Sequence, residues 1–233
     1  MASVTTTATL NGSGGVNAGF GSGVSNHYAT RLRRARLGLL VAVTPILMLF
    51  TSFTSAYVVR QGLPTFDPRT NTMVRDWIPV KLPGILLVNT CVLLLSTAGM
   101  ELARRESYRE ALVETEAFAG PSSAGKTSDV PWMAVTLALG ILFLAGQWVA
   151  WGQLRARGFY LASTPSSSFI YLLTGTHAIH LLGGVIALFV AGVASLLRRS
   201  AVTRSVVVDI TGWYWHFMAA IWVYVFCLLE FAG

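Results

Sequence analysis

The chain has 233 residues, 54% of them hydrophobic and only 12% charged. About a quarter of the residues in an ordinary soluble domain are charged, so most of this surface does not face water. The formal net charge of +7 does not mark a nucleic-acid binder, because the basic residues flank apolar runs and do not gather in a soluble patch.

The first 30 residues are rich in Gly, Ser, Thr and Ala and contain no acidic residue. They lack the apolar core of a secretory signal. Four arginines follow, Arg31, Arg33, Arg34 and Arg36. The pattern loosely resembles an organellar transit peptide and reads best as a disordered cytoplasmic tail over residues 1–36. Residues 37–233 then form one membrane domain. Crossing roughly 30 Å of hydrocarbon takes about 20 apolar residues. Five segments qualify: Leu37 to Val59, Leu82 to Met100, Pro131 to Gly152, Phe169 to Leu197 and Ile210 to Phe231. The expected fold class is therefore all-α, an integral membrane bundle of five transmembrane helices.

The loops alternate in charge. Arg31, Arg33, Arg34, Arg36, Arg104, Arg105, Arg109, Lys126, Arg198, Arg199 and Arg204 fall on one side. Arg60, Arg69, Arg75, Lys81, Arg155 and Arg157 fall on the other. This bias predicts a cytoplasmic N-terminus and an outer C-terminus. The first outer connection, Arg60 to Val80, carries Pro64, Pro68 and Pro79, with Trp77 as an interfacial anchor. The longest loop, Glu101 to Val130, should start as a surface helix extending the second span, with Glu101 and Arg105 one turn apart. Gly120 and Pro121 end it. Pro165 to Ser168 read as an N-cap for the fourth span.

Ionisable groups at membrane depth are functional candidates. Here they are His177, His180 and His216, with Glu230 near the outer end; Asn89, Gln147, Thr174 and Thr176 are neutral companions. Three uses compete. Two histidines on different helices could ligate a haem. They could bind a catalytic metal, although no carboxylate or cysteine is near in sequence. They could also be hydrogen-bonding glue between the fourth and fifth helices, which is the reading the residues favour. Cys91 and Cys227 read as apolar filler. The small-residue stripes Thr51 to Ala56 and Ser96 to Gly99 read as helix contacts. Trp148, Trp151, Trp213, Trp215 and Trp222 read mostly as an interfacial belt.

Four blocks, in order, resemble subunit III of the haem–copper oxidases, the cytochrome c and quinol oxidase family. Leu49-Phe50 through Ala56-Tyr57 resembles the end of a family span. Leu82-Pro83, Asn89-Thr90 and Leu94-Leu95-Ser96-Thr97 resemble its Leu-Pro, Asn-Thr and Leu-Leu-Thr-Ser pattern. Gln147 to Trp151, Gly158-Phe159 and Leu173-Thr174-Gly175-Thr176-His177-Ala178-Ile179-His180 resemble its third block. Trp213-Tyr214-Trp215-His216-Phe217, followed by Trp222, is similar to the signature of its last helix. The length matches the family's five-helix form, which lacks the first two helices of the longer form.

The resemblance implies a subunit without redox centres of its own, the haem and copper being held by partner subunits. It implies packing on catalytic subunit I beside subunit II, phospholipid held in a cleft, and support of proton uptake and turnover. Arg104, Arg105, Arg198 and Arg199 are placed to meet lipid phosphates, although plain positive-inside anchoring accounts for them equally. The candidate lipid-binding or interhelical polar residues are these four with His177, His180, His216, Asp209, Trp213 and Trp215. Two departures stand out. The family's buried glutamate falls near Ile46, and its aspartate after the His-Phe pair falls at Ala219; Asp209 keeps the acid before the last helix. A subunit III-like part of a nitric oxide reductase system, or a stand-alone b-type cytochrome, are the rival readings.

Overall fold

The computed structural model describes residues 16–67, 69, 71–74, 77, 80–116, 129–196 and 201–231. Five helices dominate: α1 (Val16–Gly62), α2 (Ile85–Glu116), α3 (Asp129–Ala156), α4 (Pro165–Leu196) and α5 (Ala201–Phe231). Each contains a stretch long and apolar enough to span a membrane. The all-α membrane bundle is as expected.

Several helix bounds differ from the apolar runs. Helix α1 starts at Val16 and carries Arg31 to Arg36, so the helix enters the segment expected as a disordered tail; residues 1–15 lie outside the described ones. Ala, Leu and Arg in that stretch are good helix formers. Helix α2 runs past the second apolar segment to Glu116, as the Glu101/Arg105 spacing predicts. Helix α5 begins at Ala201, nine positions before the apolar run. The helix ends are chemically explicit. Gly158 has φ 87° and closes α3: Gly158 N donates to Arg155 O and Phe159 N to Leu154 O, the paired bonds of a glycine C-terminal cap. Helix α4 is capped one residue earlier than read from sequence. Ser167 N donates to Thr164 Oγ1 and Thr164 N to Ser167 Oγ, with Pro165 at the first helical position.

Helices α2, α3, α4 and α5 form a four-helix ring in that order, and α1 lies outside it against α4 and α5. The buried positions follow one rule. In α2 the buried line runs through Leu86, Asn89, Leu93, Ser96, Met100, Ala103, Ser107 and Ala111, with Gly99 beside it; in α3 it runs through Met133, Thr136, Gly140, Phe143, Gln147, Ala150 and Leu154. Each set advances in steps of three and four, the heptad seam of near-parallel helix packing. Helix α4 repeats it through Ile170, Thr174, His177, Leu181, Gly184 and Leu188, and α5 through Val208, Thr211, Trp215, Met218, Trp222 and Val225. The seam interleaves small and polar residues with large apolar ones, and many further Leu, Val and Ile side chains face outward. That is the pattern expected where lipid supplies no drive to hide apolar groups.

Cross-helix hydrogen bonds satisfy much of the seam. Asn89 Nδ2 donates to Phe143 O at 2.9 Å and Ser96 Oγ to Thr136 O at 3.1 Å. Trp215 Nε1 donates to Ser96 Oγ at 3.1 Å, and Trp222 Nε1 to Thr90 Oγ1 at 3.0 Å. Gly146 is required by close approach, since a Cβ there would collide with the Asn89 side chain. The Ser96 stripe therefore packs as expected. The α1 stripe does so only in part: Thr54 accepts from Tyr224 OH of α5, whereas Thr51 and Ser52 are exposed and bond back to Leu47 O and Met48 O of their own helix.

The connection after α1 also differs from the turn-rich loop expected. It contains a hairpin of β1 (Thr65–Asp67) and β2 (Thr72–Val74), with Phe66 opposite Met73. Asn71 takes a positive φ of 54°, which asparagine tolerates in tight turns.

Candidate functional site

The charged residues gather at one end of the bundle, where α1 and α5 enter their apolar runs and α2 leaves its own. Asp209, two turns into α5, has a side chain 13% exposed. Its carboxylate accepts from Arg36 Nε at 2.9 Å and Arg36 Nη2 at 3.1 Å, and Arg104 Nε lies 3.5 Å away. Arg104 also pairs with Glu101 at 3.3 Å, and Arg105 pairs with Glu101 at 3.0 Å. His216 Nε2 stands 3.6 Å from Glu101 Oε2. The Arg36 and Arg104 guanidinium groups sit 5.9 and 5.8 Å from the Trp213 ring centre, within reach of cation–π attraction. One turn beyond, Arg204 of α5 pairs with Glu110 of α2.

A cavity of about 460 Å³ opens within this cluster, lined by Leu32, Arg36, Glu101, Arg104, Arg105, Tyr108, Ser205 and Asp209. Three arginines face two carboxylates in its wall, so the cavity keeps an excess of positive charge. Among the described residues no Cα atoms of α1 and α2 come within 8 Å of each other; α5 lies between them and floors the space.

The sequence candidates separate into two places. Arg104, Arg105, Asp209, His216 and Trp213 come together here. Arg198 and Arg199 lie outside the described residues. Arg36 and Glu101 belong to the site although sequence reading gave them only topological and surface roles. A basic residue immediately before one apolar run and an acid immediately before another were the signals available.

His177, His180 and Trp215 lie deeper in the bundle. His177 is 0% exposed, ringed by Phe50, Phe143 and Trp222, with the Trp222 centre 4.9 Å away. Among the described residues neither of its ring nitrogens has a hydrogen-bond partner. His180 Nδ1 lies 2.8 Å from Thr176 O in its own helix, and the backbone O of His180 accepts from Tyr214 OH. The expectation that α4 and α5 meet through three satisfied histidines is thus corrected. His216 turns to α2, where Glu101 Oε2 is its nearest acidic oxygen at 3.6 Å, and His177 packs among aromatic rings. The α4–α5 contact uses His177 against Trp222, with no hydrogen bond from its ring among the described residues, and Tyr214 against Gly183 and Gly184. Trp215 and Trp222 are core residues and not an interfacial belt; Trp148 and Trp213 remain exposed. The two positions that depart from the family are packed apolar sites: Ala219 is buried and Ile46 half-buried.

The family described as cytochrome c oxidase subunit III matches residues 20–233. The chain belongs to the cytochrome c oxidase subunit III family. Its subunit III relatives include a probable cytochrome c oxidase subunit 3 of Nocardia farcinica, 28% identical over 43% of this chain and 49% of that protein. The chain is 26% identical to cytochrome c oxidase subunit 3 of Thermostichus vulcanus over 83% of its own length and 85% of the relative. It is 25% identical to that of Pylaiella littoralis over 85% and 66%. The match spans about half the length of the actinobacterial relatives. With five apolar helices, this subunit III family member is a multi-pass membrane protein.

Proposed function

We propose that this chain is a non-redox accessory subunit of a terminal haem–copper oxidase. It packs on subunit I beside subunit II, which hold the haem and copper, and it keeps phospholipid at its charged end. In doing so it supports proton uptake and stability during turnover. Family membership carries this reading. The cavity bounded by Arg36, Arg104 and Arg105 supports the lipid part, because its excess positive charge suits a phosphate, at about 1 kcal/mol per basic residue near a charged surface. The test is removal of the subunit. The remaining oxidase should keep its haem spectrum and initial electron-transfer rate, and lose activity faster during sustained turnover. Loss of haem or of the initial rate on removal would give the chain a direct catalytic part and sink the accessory reading.

The proposed setting is a bacterial plasma membrane with the N-terminus and the arginine cluster inside, after the basic-residue bias. Ser167 is buried in the α4 cap, so exposed Leu161 is the better outer probe. With Cys91 and Cys227 replaced by alanine, an impermeant thiol reagent added outside should label Leu161→Cys and miss Arg109→Cys. Labelling in the opposite sense would invert the orientation.

A further inference from the structure

Two polar side chains in the helix ring sit at one level of the bundle with bonding capacity to spare. Gln147 of α3 is 2% exposed and His177 of α4 is 0% exposed. Among the described residues Gln147 Oε1, His177 Nδ1 and His177 Nε2 have no hydrogen-bond partner. Helices α3 and α4 follow one another through a short connection and run antiparallel. Trp151 Nε1 donates across them to Thr174 Oγ1 at 3.1 Å. One turn back along α3 from Trp151 is Gln147, and one turn on along α4 from Thr174 is His177. The two side chains therefore share a depth as well as a buried seam. Phe143, a further turn back on α3, still reaches the imidazole, with ring centres 5.9 Å apart.

The polar groups around this level are already engaged. Asn89 Nδ2 donates to Phe143 O and Trp222 Nε1 to Thr90 Oγ1. Thr174 Oγ1 donates to Ile170 O while it accepts from Trp151, and His180 Nδ1 lies against Thr176 O. A buried carbonyl and a buried imidazole left unbonded are costly, and acyl chains offer them nothing. What meets them must be small and must donate to Gln147 Oε1, which only accepts. It must also bond an imidazole, which in its neutral form donates at one nitrogen and accepts at the other. A metal ion would want more ligands, and among the described residues no cluster of three or more His, Cys, Asp or Glu could hold one. An anion is repelled by the carbonyl oxygen. Water meets both demands, and a buried water with two or more polar partners is an ordinary structural element. The residues beside the pair, Ala150, Gly175 and Ala178, are small. A Cβ added at Gly175 would meet only Trp151, at 3.9 Å.

We infer that Gln147 and His177 bind a water molecule inside the helix ring, which donates to Gln147 Oε1 and shares a hydrogen bond with one imidazole nitrogen. The water joins α3 to α4 one turn deeper than the Trp151–Thr174 bond. The other nitrogen is left among the Phe50, Phe143 and Trp222 rings, where an N–H meets only a weak π acceptor. The test is solid-state NMR of the full-length chain in lipid bilayers, with any subunits that accompany it. Isotope labels on the threonine carbonyl and on histidine mark His177 alone, because Thr176-His177 is the one Thr-His pair in the sequence. A cross-peak between water protons and an imidazole nitrogen of His177 is expected, and it should vanish in Gln147→Leu. The site is overturned if the native protein shows no such cross-peak, or if the imidazole contacts the labelled Gln147 amide and no water. Survival of the cross-peak in Gln147→Leu would also overturn it. Unfolding in mixed micelles gives a second reading. Gln147→Leu and His177→Leu should each raise the unfolding equilibrium constant about tenfold, since each leaves the other group buried and unbonded. The double variant removes both polar groups together and should stay within about threefold of the native protein. Additive losses would show that the two residues share no ligand and would sink the site. The native spectrum decides the matter even where a variant fails to fold.

Discussion

Trp215→Ala should destabilise the bundle by about 3–5 kcal/mol, the usual loss for deleting a large buried ring. Trp215 is 0% exposed and lies where all four ring helices converge. Its indole N–H donates to Ser96 of α2. Its ring lies over Gly184 of α4, and a Cβ added at Gly140 of α3 would stand 2.6 Å from it. No single side chain can take its place, so the site cannot collapse by local repacking. Trp215→Phe keeps most of the volume and loses one hydrogen bond, so about 1–2 kcal/mol is expected. Gly140→Leu should be severe in the native background and milder with Trp215→Ala, because the new side chain then enters vacated space. Unfolding in mixed micelles with increasing sodium dodecyl sulfate would measure the native protein and the four variants. Equal midpoints for native and Trp215→Ala, or strict additivity of the pair, would remove Trp215 from the core.

The second large effect concerns the attachment of α1. This helix buries little of its length, and its inner end is held by the Arg36–Asp209 pair. Asp209→Ala leaves Arg36 and Arg104 facing each other across the cavity without their shared anion. A charge-assisted bidentate bond is worth about 1.5–3 kcal/mol, and the exposure of Arg36 trims this by salt and solvent screening. A loss of about 2 kcal/mol is the expected result. Further along, α1 keeps Phe50 against the histidines, Tyr57 against Trp77 and Phe169, and Thr54 as acceptor for Tyr224 OH. The change should therefore free the inner end alone, which protease sensitivity near Arg31 to Arg36 would reveal. A double-mutant cycle with Arg36→Ala should give a coupling of about 1 kcal/mol. Zero coupling would mean that Arg104 alone holds Asp209.

These two sites differ in how far the sequence exposed them. Asp209 stood out as an acid beside an apolar run, and Glu101 with Arg105 announced the helical extension of α2. The partners of Asp209 were hidden, because Arg36 is 173 positions away and no local spacing connects them. His216 likewise shares a membrane depth with Glu101 only because α2 and α5 run in opposite directions as neighbours. The hairpin was invisible because strands of three residues carry too little pattern to stand out from a proline-rich loop.

The sequence by itself determined that the chain crosses a membrane five times, where each apolar segment lies, and which family it joins. Length and hydropathy suffice for this, since every span must satisfy its backbone within the helix. Which face of each helix is buried was decided only by the tertiary structure. In water an apolar stripe would have marked it. In lipid both faces are apolar, and the seam through Asn89, Ser96, Gly140, Gln147, Thr174 and His177 is set by close fit and hydrogen bonds between helices. Those fits exist only once α2 to α5 stand together, and the same assembly places α1 outside the ring, held at its charged end by Asp209.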